Sequence, residues 1–192
     1  MNPSHLETNR VIVRPFIVDD LQTIHRILDQ TFGDGKNIAN EAALQERKSW
    51  LEWSRLNQEW FPKMEQAPYG DRAIVLKTND QVIGSVGYVP LLDVFSQIPE
   101  LGISSRGYTT PEVGLFWAID PIYQRQGYAT EAAQAMIDHA FRHLRLARVL
   151  ATTEYSNIAS QAVMRKLGMR LVRNPLAEPP WLQMVGVLEN TG

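Results

Sequence analysis

Gln124-Arg-Gln-Gly-Tyr-Ala-Thr130 stands between an apolar run that stops at Asp120-Pro121 and a series of small residues that sets out with helical spacing. A strand that passes through a glycine-bearing loop into a helix leaves the helix's first backbone N–H groups pointing outward without partners. The helix dipole adds positive potential at the same place. Gly127 lets a ligand approach the backbone where a side chain would intrude. Such a junction attracts an anion. The chain has neither GK[ST] nor a complete GxGxxG, which sets aside two other phosphate loops. Gly33-Asp-Gly35 follows a helical stretch rather than a strand and lacks the third glycine. A one-glycine turn before a helix is also an ordinary structural feature, so the neighbouring elements have to decide.

Those elements can be read from periodicity. Arg10-Val-Ile-Val-Arg-Pro-Phe16 is rich in β-branched residues and ends at proline, which predicts a first strand. Asp19 and Asp20 open a helix with the apolar stripe Leu21, Ile24, Ile27 and Leu28, closed by Gly33 and Gly35. A second helix is expected over about Asn40 to Phe61. Trp50 and Trp53 share a face there and Trp60 follows; they are read as core or flap contacts, with a substrate wall as the alternative. Ala73 to Lys77 and Gln81 to Val89 flank Thr78-Asn-Asp80 as a hairpin. Leu91 to Thr110, with its prolines and glycines, reads as one long irregular loop of the kind that carries function.

Glu112 to Ile119 is the strand that feeds the junction, and Gly127 to Leu144 is the helix that leaves it, with an apolar line through Ala132, Ala133, Met136, Ile137 and Ala140. Arg148 to Thr153 is a short buried strand. Ile158 to Leu167 is a helix ended by Gly168. Met169 to Arg173 and Trp181 to Leu188 are final strands around a proline-rich turn. The order predicts an α/β layer structure with a mixed sheet.

Composition narrows the function classes. At 192 residues with a net charge of −2, the chain suits one domain, residues 1–192, with no strong electrostatic bias toward nucleic acid. No apolar run approaches the roughly 20 residues of a membrane-spanning helix. With no secretory-type start and no cysteine, a cytoplasmic location is expected, and thiolate metal sites and cysteine nucleophiles are excluded. His139 and His143 lie four apart but lack an HExxH glutamate or an evident third ligand, so no metal is expected. Nothing in the sequence sets an oligomeric state.

The junction's residue types are more specific than its shape. Gln124-Arg-Gln-Gly-Tyr-Ala129 fits Gln/Arg-x-x-Gly-x-Gly/Ala and resembles the pyrophosphate-binding signature of the GNAT superfamily of acetyl-CoA-dependent N-acetyltransferases. Arg10 to Phe16 resembles the first strand of the subgroup that includes the ribosomal-protein N-terminal (alanine/serine) acetyltransferases. Glu112-Val-Gly-Leu-Phe-Trp-Ala-Ile119 resembles the strand before the loop, and Asn157 to Met169 looks like the family's following helix with its Asn, Ser and Leu-Gly. The resemblance implies an α/β GNAT fold: a mixed, mostly antiparallel central sheet with splayed strands and helices on both faces.

It also implies roles for residues. Backbone of Trp117, Ala118 and Ile119 would pair with the pantetheine arm of acetyl-CoA, and the N–H groups of Arg125, Gln126, Gly127, Tyr128, Ala129 and Thr130 would grip its pyrophosphate, with Gln124 leading the motif. Asn157 would bond the pantetheine, with helix capping as a compatible role, and Ser160 would face the same channel. Lys166 and Arg125 would serve the adenosine phosphates, or else lie as solvated surface charges. Acetyl transfer needs a neutral amine, so a base must take its proton; Glu112 is the candidate, through water. Many relatives place a tyrosine, to reprotonate the departing thiolate, where this chain has Met164, so Ser160 is the first candidate to donate a hydrogen bond to the sulfur instead, with Tyr155 or solvent behind it. The implied activity is direct transfer in a ternary complex to a primary amine, first a protein N-terminal α-amine. A small-molecule acetyltransferase acting on a polyamine, amino sugar or antibiotic, and a non-catalytic acyl-CoA-binding regulatory module, are the alternatives.

Overall fold

Alternating β-branched residues dictate how the chain begins. The structure is a computed structural model that describes residues 5–33, 35–103 and 107–192. β1 (Leu6–Glu7), a strand the sequence pattern does not reveal, pairs antiparallel with β2 (Val11–Arg14), whose Val11 and Val13 are fully buried. A 3-10 turn at Val18–Asp20 leads into α1 (Leu21–Phe32). Asn40 then caps α2 (Glu41–Trp60) by accepting from the N–H groups of Ala42 and Ala43. β3 (Gly70–Leu76) and β4 (Val82–Asp93) form the expected hairpin, and β5 (Thr110–Ile119) is the strand that feeds the junction. α3 (Tyr128–Arg142), β6 (Arg148–Thr153), α4 (Ile158–Lys166), β7 (Arg170–Arg173) and β8 (Met184–Glu189) complete the chain. The strands are hydrogen-bonded in the order β1-β2-β3-β4-β5-β6-β8-β7; β5 and β6 are parallel, and the other registered pairs are antiparallel.

The chain divides into two compact units, Met1–Tyr88 with Phe116–His139 and Val89–Leu115 with Ala140–Gly192. In the first, Phe16, Ile24, Ile27, Leu28 and Leu51 pack on Ala73, Val75, Val82 and Ala118, so α1 and α2 cover one face of the strands. On the other face the Tyr88 hydroxyl reaches Met136 O in α3 at 2.6 Å. Trp50 packs on Phe16 with the ring centres 5.4 Å apart and the planes tilted by 58°, whereas Trp53 and Trp60 are about half exposed, so the three tryptophans do not act as one core feature. In the second unit Phe95, Ile98 and Leu101 join Leu150, Val172, Leu182, Val185 and Val187 in a separate core.

That second core corrects the reading of Leu91 to Thr110 as one irregular loop. β4 runs on to Asp93, and 3-10 turns follow at Phe95–Gln97 and Pro99–Leu101. Phe95 in the first turn, the extended Ile98 between the turns and Leu101 in the second are all buried, so the segment turns its apolar residues inward. Residues 104–106 of this segment lie outside the described residues. Among the described residues no helix is long and apolar enough to cross a membrane.

A buried polar cluster runs along α2 and β3. Asp71 is 6% exposed and accepts from the Ser85 hydroxyl at 2.7 Å. A Cβ on Gly87 would stand 2.9 Å from the Asp71 carboxylate, so glycine there makes the room. Burial pushes the Asp71 carboxyl up to about 6, against the pull of Ser85 and of Arg47. Because the folded pKa lies above the unfolded one, the native state holds an extra proton between about pH 4 and 6, and stability falls as pH rises through that window. Asp71→Asn is expected to remove this slope: melts of the two proteins should converge near pH 4 and separate by on the order of 2–3 kcal/mol at pH 7, with the variant more stable. Parallel melting curves across that range would show that Asp71 does not titrate there.

Candidate active site

The end of β5 is held from two sides before the loop begins. The Asp120 side chain is buried, caps the N–H of Ile122 at 3.2 Å and accepts from Arg26 Nη2 at 2.6 Å. Its own N–H donates to Ile83 O of β4 at 2.9 Å. Gln124 folds back and donates to Ile119 O at 3.0 Å, so the motif's leading residue fixes the strand end. A Cβ built on Gly84 would lie 2.2 Å from Ala118 O, so that carbonyl faces β4. Strand alternation turns the backbone groups of Trp117 and Ile119 to the opposite edge. The Ala118 carbonyl thus points to β4, and the backbone groups of Trp117 and Ile119 point the other way.

The loop then turns through two left-handed residues, Arg125 at φ 61° and Gly127 at φ 87°. The first helical bond runs from the Glu131 N–H to Gly127 O at 3.0 Å. The N–H groups of Tyr128, Ala129 and Thr130 thus precede the helical ladder, as the junction's chemistry requires. Arg10, missed as a site residue by sequence reasoning, organises this turn. Its Nη1 donates to Gln126 O at 3.0 Å, its Nε to Glu131 Oε2 at 2.7 Å, and its guanidinium lies 4.3 Å from the centre of the Tyr128 ring. The Thr8 hydroxyl and the Arg10 N–H both donate to Glu131 Oε1, at 2.6 and 2.8 Å. Burial alone would raise the Glu131 carboxyl, but Thr8 and Arg10 together hold it below the usual range. Arg10 is half exposed, so its ion pair and ring contact are each worth only about 1 kcal/mol or less; they set geometry more than stability.

The second unit carries the other expected residues. Asn157 Oδ1 accepts from the Ser160 N–H at 3.0 Å and caps α4, which leaves the Ser160 hydroxyl without a protein partner among the described residues. Lys166 is exposed in the last turn of α4. Met164 is fully buried, and its Sδ would lie 3.1 Å from a Cβ on Gly186 of β8, so the position where relatives carry tyrosine is a packing site here. The Tyr155 hydroxyl donates to Asn174 O and, at 3.3 Å, to Leu176 O, with Arg173 stacked on its ring at 4.2 Å; its proton is committed to structure.

Glu112 is tied to β6. The parallel register Gly114↔Leu150 sets Glu112 beside Arg148. Arg148 Nε donates to Glu112 Oε2 at 3.0 Å and Nη2 donates to Oε1, a bidentate pair that also raises the pKa of Arg148. This register is a single pair between strands of ten and six residues.

Residues 10–170 match the family described as Acetyltransferase (GNAT) domain. The chain belongs to the GNAT family. An uncharacterized N-acetyltransferase of Bacillus subtilis, YnaD, is 29% identical over 168 residues, which span 86% of this chain and 82% of the relative. The acetyltransferase from Agrobacterium tumefaciens superposes with a TM-score of 0.69 at 21% identity, covering 98% of this chain and 96% of that one. The ribosomal-protein-S5-alanine acetyltransferase from Vibrio fischeri does so with a TM-score of 0.65 at 18% identity, covering 98% of each. At those identities the likeness is one of fold.

As a GNAT acetyltransferase the protein is an acetyl-CoA-dependent enzyme. The diphosphate of that co-substrate is the kind of anion that the Tyr128, Ala129 and Thr130 N–H groups suit. The conformation at Gly127 is one that side chains adopt at a cost of about 1–3 kcal/mol. Gly127→Ala is expected to lower the melting temperature and to weaken CoA binding measured by calorimetry. Unchanged CoA affinity would remove this loop from the site.

Proposed function

We propose that this GNAT enzyme transfers acetyl from acetyl-CoA to a protein N-terminal α-amine. The observation that carries this reading is the bidentate Glu112–Arg148 pair. Both oxygens of that carboxylate already accept guanidinium bonds, so this reading pairs it with an amine that sheds its proton easily. Near pH 7.4 about a third of α-amines are neutral, against about one in a thousand lysine-type amines. The fold likeness to a ribosomal-protein alanine acetyltransferase is compatible with the same choice.

In this reading the loop N–H groups from Arg125 to Thr130 hold the diphosphate, Trp117 and Ile119 supply backbone to the pantetheine, and Asn157 bonds it as well as capping α4. Arg125 and Lys166 meet the adenosine phosphates. The neutral amine nitrogen attacks the thioester carbonyl carbon, and a backbone N–H of β5 stabilises the oxyanion. The C–S bond then breaks. Glu112 takes the amine proton through water, and the Ser160 hydroxyl hydrogen-bonds the departing thiolate, which gains its proton from solvent.

A small amine of low pKa, such as an amino sugar, is the second reading, since it too sheds its proton easily. Thiol release from acetyl-CoA, followed against peptides with free N-terminal Ala or Ser, the same peptides Nα-blocked but with a free lysine, polyamines and aminoglycosides, tests the choice. Turnover confined to free N-termini is expected, and a preference for any small amine would overturn it. Glu112→Gln should lower kcat/KM most at low pH, where the acceptor amine is charged; full turnover at every pH would end its role as base.

A further inference from the structure

The Gly127 N–H can face an anion only if the carbonyl of its own peptide is turned the other way, and the Arg10 side chain does this, whereas Gly127 O is already taken by the Glu131 N–H of the helix. A trans peptide points its C=O and N–H in opposite directions. Arg10 Nη1 takes Gln126 O at 3.0 Å, so the N–H of Gly127, on the same peptide, points away from Arg10. The Arg10 guanidinium also lies on the Tyr128 ring at 4.3 Å, and its Nε takes Glu131 Oε2 at 2.7 Å. Three consecutive parts of the junction, the loop peptide, the first helical residue and the first-turn carboxylate, are therefore indexed to one guanidinium from the start of β2.

We propose that Arg10 is a positioning residue for the diphosphate-binding loop, acting as a latch that sets the direction of its N–H groups and screens Glu131 from the bound anion. The proposal rests on the assignment of Gln124 to Thr130 to the diphosphate. Glu131 supplies the second reason for the latch. A carboxylate in the first turn of α3 would repel a diphosphate at the same helix end, and here it is neutralised by Arg10 and turned aside by the Thr8 hydroxyl and the Arg10 N–H. A lysine at this position would keep the charge but could not bond Gln126 O and Glu131 while lying flat on Tyr128. Shape and charge are thereby separable.

The test titrates CoA and dephospho-CoA into the wild-type protein, Arg10→Ala and Arg10→Lys by calorimetry, with amide hydrogen exchange read over residues 126–130. Both variants should bind each ligand about tenfold more weakly, as expected for loss of pre-set hydrogen bonds to a charged group. The KM for acetyl-CoA should rise in step with kcat held within about twofold, and exchange should quicken at residues 127–130 while the sheet keeps its protection. Wild-type-like binding by Arg10→Lys would overturn the latch in favour of simple charge. A loss confined to CoA and absent with dephospho-CoA would overturn it in favour of contact with the 3′-phosphate. Undisturbed binding and exchange in Arg10→Ala would also overturn it, and Arg10→Lys carries the test if the alanine variant does not fold. A wild-type chain that binds neither ligand would instead overturn the loop assignment, and the latch with it.

Discussion

A helix start that leaves its first N–H groups unbonded must be held in shape from outside, and the junction between β5 and α3 is organised around that requirement. Free peptide groups would turn to solvent or to each other if the loop could relax. Asp120, caught between Arg26 and the Ile122 N–H, fixes where the strand stops. Gln124 caps the last strand carbonyl, and Arg10 takes the Gln126 carbonyl in the loop. These bonds all consume acceptors. What is left over is a set of donors, and a surplus of donors at a dipole's positive end is an anion site by bookkeeping alone.

The charged residues at this junction are matched in sign and are mostly only partly buried, which limits what they contribute to folding. An exposed ion pair is worth at most about 1 kcal/mol, so Arg10 and Glu131 matter through direction. The buried Asp71 works in the opposite sense. Its carboxyl, pushed up to about 6 chiefly by burial, weakens the fold at neutral pH. The two carboxylates thus tilt the pH dependence of the same unit in opposite directions, and neither shift follows from net charge.

The strand and helix pattern was largely legible because period-2 and period-3.6 apolar spacing is local: β6 and the two long helices fall where Arg148 to Thr153, Asn40 to Phe61 and Gly127 to Leu144 place them. β1 escaped because two residues carry no period. The segment after β4 was misread because its buried apolar residues sit in and between short 3-10 turns, which prolines and glycines disguise as loop. Gln124 to Thr130 were legible as an anion loop because the chemistry lies in consecutive residues. Arg10 and Glu131 were not, since they are 121 positions apart and only pairing shows that they meet. Likewise, nothing local in Glu112 reveals that Arg148 holds it.

That last pairing follows from backbone geometry. In a parallel ladder the offset between partners is constant, so a register that sets Gly114 opposite Leu150 also sets Glu112 opposite Arg148. A slip of one residue would turn Arg148 to the other face of the sheet and leave Glu112 as a half-buried carboxylate without a counterion. The register therefore decides whether that carboxylate stands free or has both oxygens engaged by a guanidinium. Whether Glu112 meets a counterion is thus a property of how β5 and β6 align.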